Sequence, residues 1–233
     1  MRSAKSVGRI IGLALLVQVL LAPPVYFRLM RPATAPDFLA NAAGSALQVR
    51  VALLLAFVLG AMTFTVAIAG MPVFRRYSER MALAFLALSV VGLSTLAMET
   101  IATRNLLSLS QEYARSGAAN DLLQTLGRMA RSTWIGAHHT NLMVAHVTIF
   151  VLFVILFRFT LVPRALAALG MAASLLSTTA VTMPLLGYRL VFLLILPLGL
   201  TNLALILWLI VRGLEERQHL PCGDAARVEM SIA

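Results

Sequence analysis

One acidic residue and a run of histidines stand where a lipid-soluble helix should carry neither. Residues 81–103 form an apolar stretch broken by Glu99, with Thr95 one turn before it and Thr103 one turn after, so the three share a helix face. A carboxyl group at membrane depth is costly, which makes it a functional hypothesis by default. The next apolar stretch opens with Trp134-Ile135-Gly136-Ala137-His138-His139-Thr140-Asn141. If the two helices are antiparallel neighbours, His138 and His139 reach the depth of Glu99. Asn141 then shares a face with His138, and His146, seven residues beyond His139, lies on nearly the same face as that histidine.

Three kinds of chemistry suit such a group. The first is an interhelical hydrogen-bonded network in which histidine or Arg104 neutralises Glu99, because buried polar groups in lipid need partners whatever the function. The second is a pocket that binds or moves a small molecule. There Glu99 with Arg104 or Arg189 recognises a polar group, and Thr178 and Thr182, on one stripe with Ser174, line the wall. The third is a metal site built from Glu99, His138 or His139, and His146. Adjacent helical histidines diverge by about 100°, and no HExxH spacing is present, so the third reading fits least well. No GxSxG, Walker or dinucleotide fingerprint occurs in the connecting loops. His219 and the single cysteine, Cys222, fall in a polar C-terminal tail, so no intramolecular disulfide is available.

The elements that must position these residues are transmembrane helices. The chain has 233 residues, of which 60% are hydrophobic and 12% charged, and its mean hydropathy is +0.90. A soluble domain carries about one quarter charged residues. The apolar runs are continuous and about 20 residues long, the length of a spanning helix and not of a barrel strand. Six spans are predicted, at residues 7–30, 51–70, 81–103, 134–157, 165–184 and 190–211. Pro23-Pro24 should kink or end the first, and Pro197 should kink the sixth. The basic start followed by an apolar run imitates a signal peptide, but a proline after the candidate cut at Ala22 disfavours cleavage, so a retained first helix is expected. Asp37 is a candidate cap for a short helix leading into the second span. Residues 105–132 are expected to form an outer loop. Asn120 or Asp121 would cap a short amphipathic helix there, with Leu122, Leu123, Leu126 and Met129 at helical spacing on the membrane surface or over the bundle mouth. Residues 213–233 are expected as a polar cytoplasmic tail. Small residues four apart (Gly8 and Gly12, Ala56 and Gly60, Gly170 and Ser174) suit close helix contacts.

Net charge is +10, but the 19 basic residues are scattered between apolar runs and form no nucleic-acid-binding stripe. Eleven of them flank the side of both termini and eight the other. The short turns at Arg75-Arg76 and Arg158-to-Arg164 reinforce that bias, so both termini are expected in the cytoplasm.

The opening Gly8-Arg9-Ile10-Ile11-Gly12-Leu13, the His138-His139 pair at the start of a span, and the turn Leu161-Val162-Pro163-Arg164-Ala165-Leu166-Ala167-Ala168-Leu169-Gly170 carry a resemblance. With them the chain resembles a bacterial family of multi-pass membrane proteins called domain of unknown function 4386. The resemblance extends from the first span to the sixth and implies a small helical protein of the bacterial inner membrane, with no activity, cofactor or catalytic residue attached.

The reading is therefore an all-α, polytopic membrane helical bundle of about six transmembrane helices, with an outward-facing polar pocket around Glu99, His138, His139 and Asn141. The expected role is to bind or move a small molecule, or to serve as an accessory membrane subunit, alone, as a homo-oligomer or with a membrane partner. No cofactor is expected. The alternative is an intramembrane enzyme using Glu99 and His138 or His139 as acid and base, with or without a metal.

Overall fold

A computed structural model describes residues 3–116 and 121–215, all helices and turns. Helix α1 (Ala4–Pro23) passes directly into a π-helical turn, Pro24–Leu29. Two prolines in succession bring no amide hydrogen, so the helix loses donors there and widens to the longer-range π pattern instead of breaking. Met30 N–H donates to the Val25 carbonyl across that turn, at 2.9 Å. Two single-turn helices follow, α2 (Arg31–Thr34) and α3 (Phe38–Asn41), and then α4 (Ala46–Tyr77), α5 (Glu79–Ser116), α6 (Asp121–Arg158), α7 (Arg164–Thr182) and α8 (Leu196–Val211).

Among the described residues, six helical stretches are long and apolar enough to cross a membrane: Ala4–Leu29, Ala43–Tyr77, Glu79–Ser116, Asp121–Arg158, Arg164–Leu186 and Phe192–Val211. The protein is a multi-pass membrane bundle. Each long helix packs on its neighbours in sequence, and α8 returns to α1, so the six close into a ring. The start of α1 and the end of α8 share one end, here the terminal end; the α5–α6 connection marks the other, the hairpin end. Small residues allow the close approaches. A side chain at Gly12 would meet Leu209 and Ile210 of α8, at Gly60 Leu96 of α5, and at Gly170 the ring of Phe153. These are the positions at which sequence spacing predicted helix contacts.

The larger apolar core fills the terminal end. There Phe74 and Phe85 meet edge to face at 6.0 Å, among Phe153, Leu156 and Leu209. A second cluster, around Val25, Met30, Val49 and Leu107, lies where α1 and α4 approach α5. A polar tie joins α1 to α4: Gln18 donates to the Leu59 carbonyl at 2.7 Å and to Thr63 Oγ1 at 2.8 Å.

The sequence reading needs four corrections. Residues 105–116 and 121–132 are not an outer loop carrying a separate surface helix. Residues 105–116 are the last turns of α5 and 121–132 the first turns of α6, each 38 residues long. At 1.5 Å per residue such a helix is about 57 Å long against a hydrocarbon core of about 30 Å, so the pair projects well beyond the membrane. What supports it is the segment after α1. Ser110 Oγ accepts from Ala43 N–H at 2.8 Å and donates to the Leu39 carbonyl at 2.9 Å. Arg131 donates to the Thr34 carbonyl, and Leu39 lies against Gly127.

Pro197 occupies the first turn of α8, where its missing N–H costs nothing, and so starts the helix without kinking it. Asp37 stands at the N-terminus of α3 but accepts from the Asn41 side chain and caps no backbone amide. The tail begins later than expected: Gly213 and Leu214 are buried, and Glu215 N–H donates to the Leu161 carbonyl at 2.9 Å. Leu214 is apolar and finds a seat beside Gly8, where no side chain stands in the way. Asn120, His219 and Cys222 lie outside the described residues.

Candidate functional site

The antiparallel packing of α5 on α6 brings Glu99 and the start of the His138–Asn141 turn to one level. Glu99 is 2% exposed. Its Oε1 lies 2.8 Å from His138 Nδ1, and its Oε2 accepts from Asn141 Nδ2, also at 2.8 Å. Thr95, one turn back on α5, donates to Asn141 Oδ1 at 3.1 Å. Thr103 donates its hydroxyl to the Glu99 carbonyl at 2.8 Å, leaving the carboxylate free for α6. The i, i+3 spacing of His138 and Asn141 presents two donors to two carboxylate oxygens, which an arginine fork would otherwise do.

His138 is held on its flanks as well as at Nδ1. Trp134, one turn earlier on α6, stacks on it with ring centroids 5.2 Å apart and planes at 14°. Tyr26, from the π-helical turn, lies tilted by 45° at 6.4 Å, and His139 meets it edge to face at 5.7 Å. The His138 side chain keeps 25% exposure. A carboxylate on Nδ1 favours the proton there and turns Nε2 away from Glu99, where that nitrogen takes no hydrogen-bond partner among the described residues. In the neutral ring Nε2 accepts a hydrogen bond, and in the protonated ring it donates one.

The remaining predicted residues fall elsewhere. His139 turns toward the Val181 backbone of α7, and its buried Nδ1 has no hydrogen-bond partner among the described residues. His146 is buried two turns deeper, with Nδ1 2.6 Å from the Leu142 carbonyl of its own helix. Glu99, His139 and His146 therefore do not converge, and no group of three potential metal ligands occurs among the described residues. Arg104 is exposed and lies about 140° around α5 from Glu99. Thr178 and Thr182 spend their hydroxyls on carbonyls of α7, Thr178 on Ser174 at 2.7 Å and Thr182 on Thr179 at 2.9 Å. Arg189 is exposed in the connection to α8. Tyr26 is the residue that sequence reasoning missed. The tandem prolines ahead of it were the available signal, since they mark where a helix end departs from regular geometry beside the site.

Tyr26 also lines a cavity of about 760 Å³ on its far side, bounded by the chain from the π-helical turn to Ser45. A second hollow of about 480 Å³ lies between the projecting ends of α5 and α6, lined by Asn105, Leu109, Glu112 and Met129 among others.

A family model described as domain of unknown function, DUF4386, matches residues 10–213. No curated protein and no solved structure matches the chain.

Proposed function

The chain belongs to the DUF4386 family, and from that premise we propose that the bundle binds or moves a small molecule through a polar pocket at its hairpin end, with His138 as the ligand-facing group. The observation that supports this most directly is the orientation of His138. Glu99 holds the imidazole at Nδ1 and the Trp134 and Tyr26 rings lie beside it, while Nε2 takes no hydrogen-bond partner among the described residues and the side chain keeps 25% exposure. A network serving only to tie α5 to α6 needs Glu99, Asn141 and Thr95; it does not need a stacked, part-exposed imidazole. Both termini are taken as cytoplasmic in a bacterial inner membrane, so the pocket faces outward. Glu99 and Asn141 act as positioning residues in this reading.

A thermal-shift panel of small carboxylates, amines and polyols on the detergent-purified protein tests it. At least one compound should raise the melting temperature of the native protein and fail to do so for His138→Ala. A panel in which every compound acts equally on both proteins would overturn the reading. The carboxylate–imidazole pair also favours a second reading, acid–base catalysis at Nε2. Turnover of a panel compound, abolished by His138→Ala and lowered by Glu99→Gln, would move the assignment to that class.

A further inference from the structure

The 760 Å³ cavity beside Tyr26 has a composition of its own. Two guanidinium groups, Arg28 and Arg31, line it, and neither makes an ion pair among the described residues. One carboxylate, Asp37, shares the lining and accepts from Asn41. Arg131 reaches the rim from α6 and holds the Thr34 carbonyl, so the far wall is tied to the projecting hairpin. Gln48 secures the near wall by donating to the Arg28 and Leu29 carbonyls, each at 3.2 Å. These ties fix the backbone that carries the two arginines.

Height along the bundle narrows the choice of ligand. The 20 residues of α1 rise about 30 Å, the thickness of the hydrocarbon core, so the turn that follows stands at headgroup level. Phe27, 74% exposed, lines the same cavity beside Arg28. The site thus offers two arginines at headgroup height beside an exposed apolar ring. Guanidinium matches phosphate oxygens in geometry and charge, and phosphate is the group that lipid headgroups present at this height.

We propose that this cavity binds the phosphodiester headgroup of a membrane lipid, with Arg28 and Arg31 on the phosphate and the acyl chains leaving past Phe27. The site stands apart from the Glu99 reading, with which it shares only Tyr26 as a wall.

The test uses the full chain in micelles of an uncharged sugar detergent, titrated with phosphatidylglycerol and followed by native mass spectrometry and melting temperature. The native protein should retain lipid, and the double variant Arg28→Gln, Arg31→Gln should bind it roughly tenfold or more weakly. Because both side chains are exposed and unpaired, the melting temperature without lipid should not change. Arg28→Lys with Arg31→Lys, which keeps the charge, should give an intermediate loss. Inorganic phosphate at millimolar concentration should not displace the lipid. Equal lipid binding by the native and glutamine proteins overturns the site, and full displacement by inorganic phosphate overturns the lipid as its source. His138→Ala should bind phosphatidylglycerol normally, so failure of the His138 reading and failure of this one can be told apart.

Discussion

Glu99 Oε1 lies 2.8 Å from His138 Nδ1, while the other carboxylate oxygen takes Asn141 Nδ2 at the same distance. One buried carboxylate thus meets two donors on a single turn of the neighbouring helix. Glu99→Gln keeps the shape but replaces one acceptor with a donor, so the network is satisfied only if His138 moves its proton from Nδ1 to Nε2. Hydrogen bonds to a carboxylate are stronger than those to an amide, and we expect Glu99→Gln to lose about 1–3 kcal/mol in detergent unfolding. His138 then offers a ligand a proton at Nε2 where the native ring offers a lone pair. Any ligand that stabilises the protein through Nε2 should therefore act more weakly on Glu99→Gln, even at temperatures where the variant remains folded.

Thr95 reaches Glu99 only through Asn141. Thr95→Val should cost less than about 1 kcal/mol, in keeping with single hydrogen bonds between membrane helices. Asn141→Leu strips partners from both Glu99 and Thr95 and should cost more. In the Asn141→Leu background the Thr95→Val penalty should shrink, because only the Gly92 carbonyl of its own helix then remains as an acceptor. Additive penalties in that double-mutant cycle would show that Thr95 acts on something other than Asn141.

Gly170 and Gly136 give a matched pair of tests of the packing. A methyl group at Gly170 would enter the ring of Phe153, whereas one at Gly136 meets nothing within 4 Å. Gly170→Ala should destabilise by about 1–3 kcal/mol and be partly rescued by Phe153→Leu. Gly136→Ala should be neutral or stabilise by up to about 1 kcal/mol through helix propensity. The two unfolding midpoints, measured side by side, check the α6–α7 interface.

The length of α5 and α6 predicts what water can reach. In a Cys222→Ser background, Ser108→Cys and Thr125→Cys stand on the projecting hairpin and should react with a membrane-impermeant thiol reagent. Ser94→Cys is also exposed on the helix surface but faces lipid, and should not. Equal labelling of all three would place the hairpin within the bilayer. Comparing intact cells with inverted vesicles reports the side: labelling of Ser108→Cys from outside matches cytoplasmic termini, and the reverse would put the Glu99 pocket on the cytoplasmic face.

Six spanning helices, the small-residue contacts and the pairing of Glu99 with the His138 turn could all be read from residue order. Hydropathy is a local property summed over about 20 residues, and antiparallel neighbours joined by short turns bring matching depths together almost automatically. Residues 105–116 and 121–132 differ from the sequence expectation for a related reason. Their polar composition identifies them as water-exposed, but a polar helix needs a tertiary partner to persist, and that partner is the distant segment around Leu39 and Ala43.

Sequence alone determined the solvent: nothing but lipid accommodates this many apolar residues in continuous runs. It also determined that Glu99 needs partners, and roughly which ones. Only the tertiary structure decided among them. It chose His138 and Asn141, turned His139 toward α7 and His146 onto its own helix, and left Arg104 outside. Residues one apart on a helix differ by about 100° in direction, so composition and depth say which groups are near, while the rotation of α6 against α5 says which ones touch. That rotation follows from packing spread along two 38-residue helices, and the same packing sets Tyr26, from the far side of two prolines, against His138.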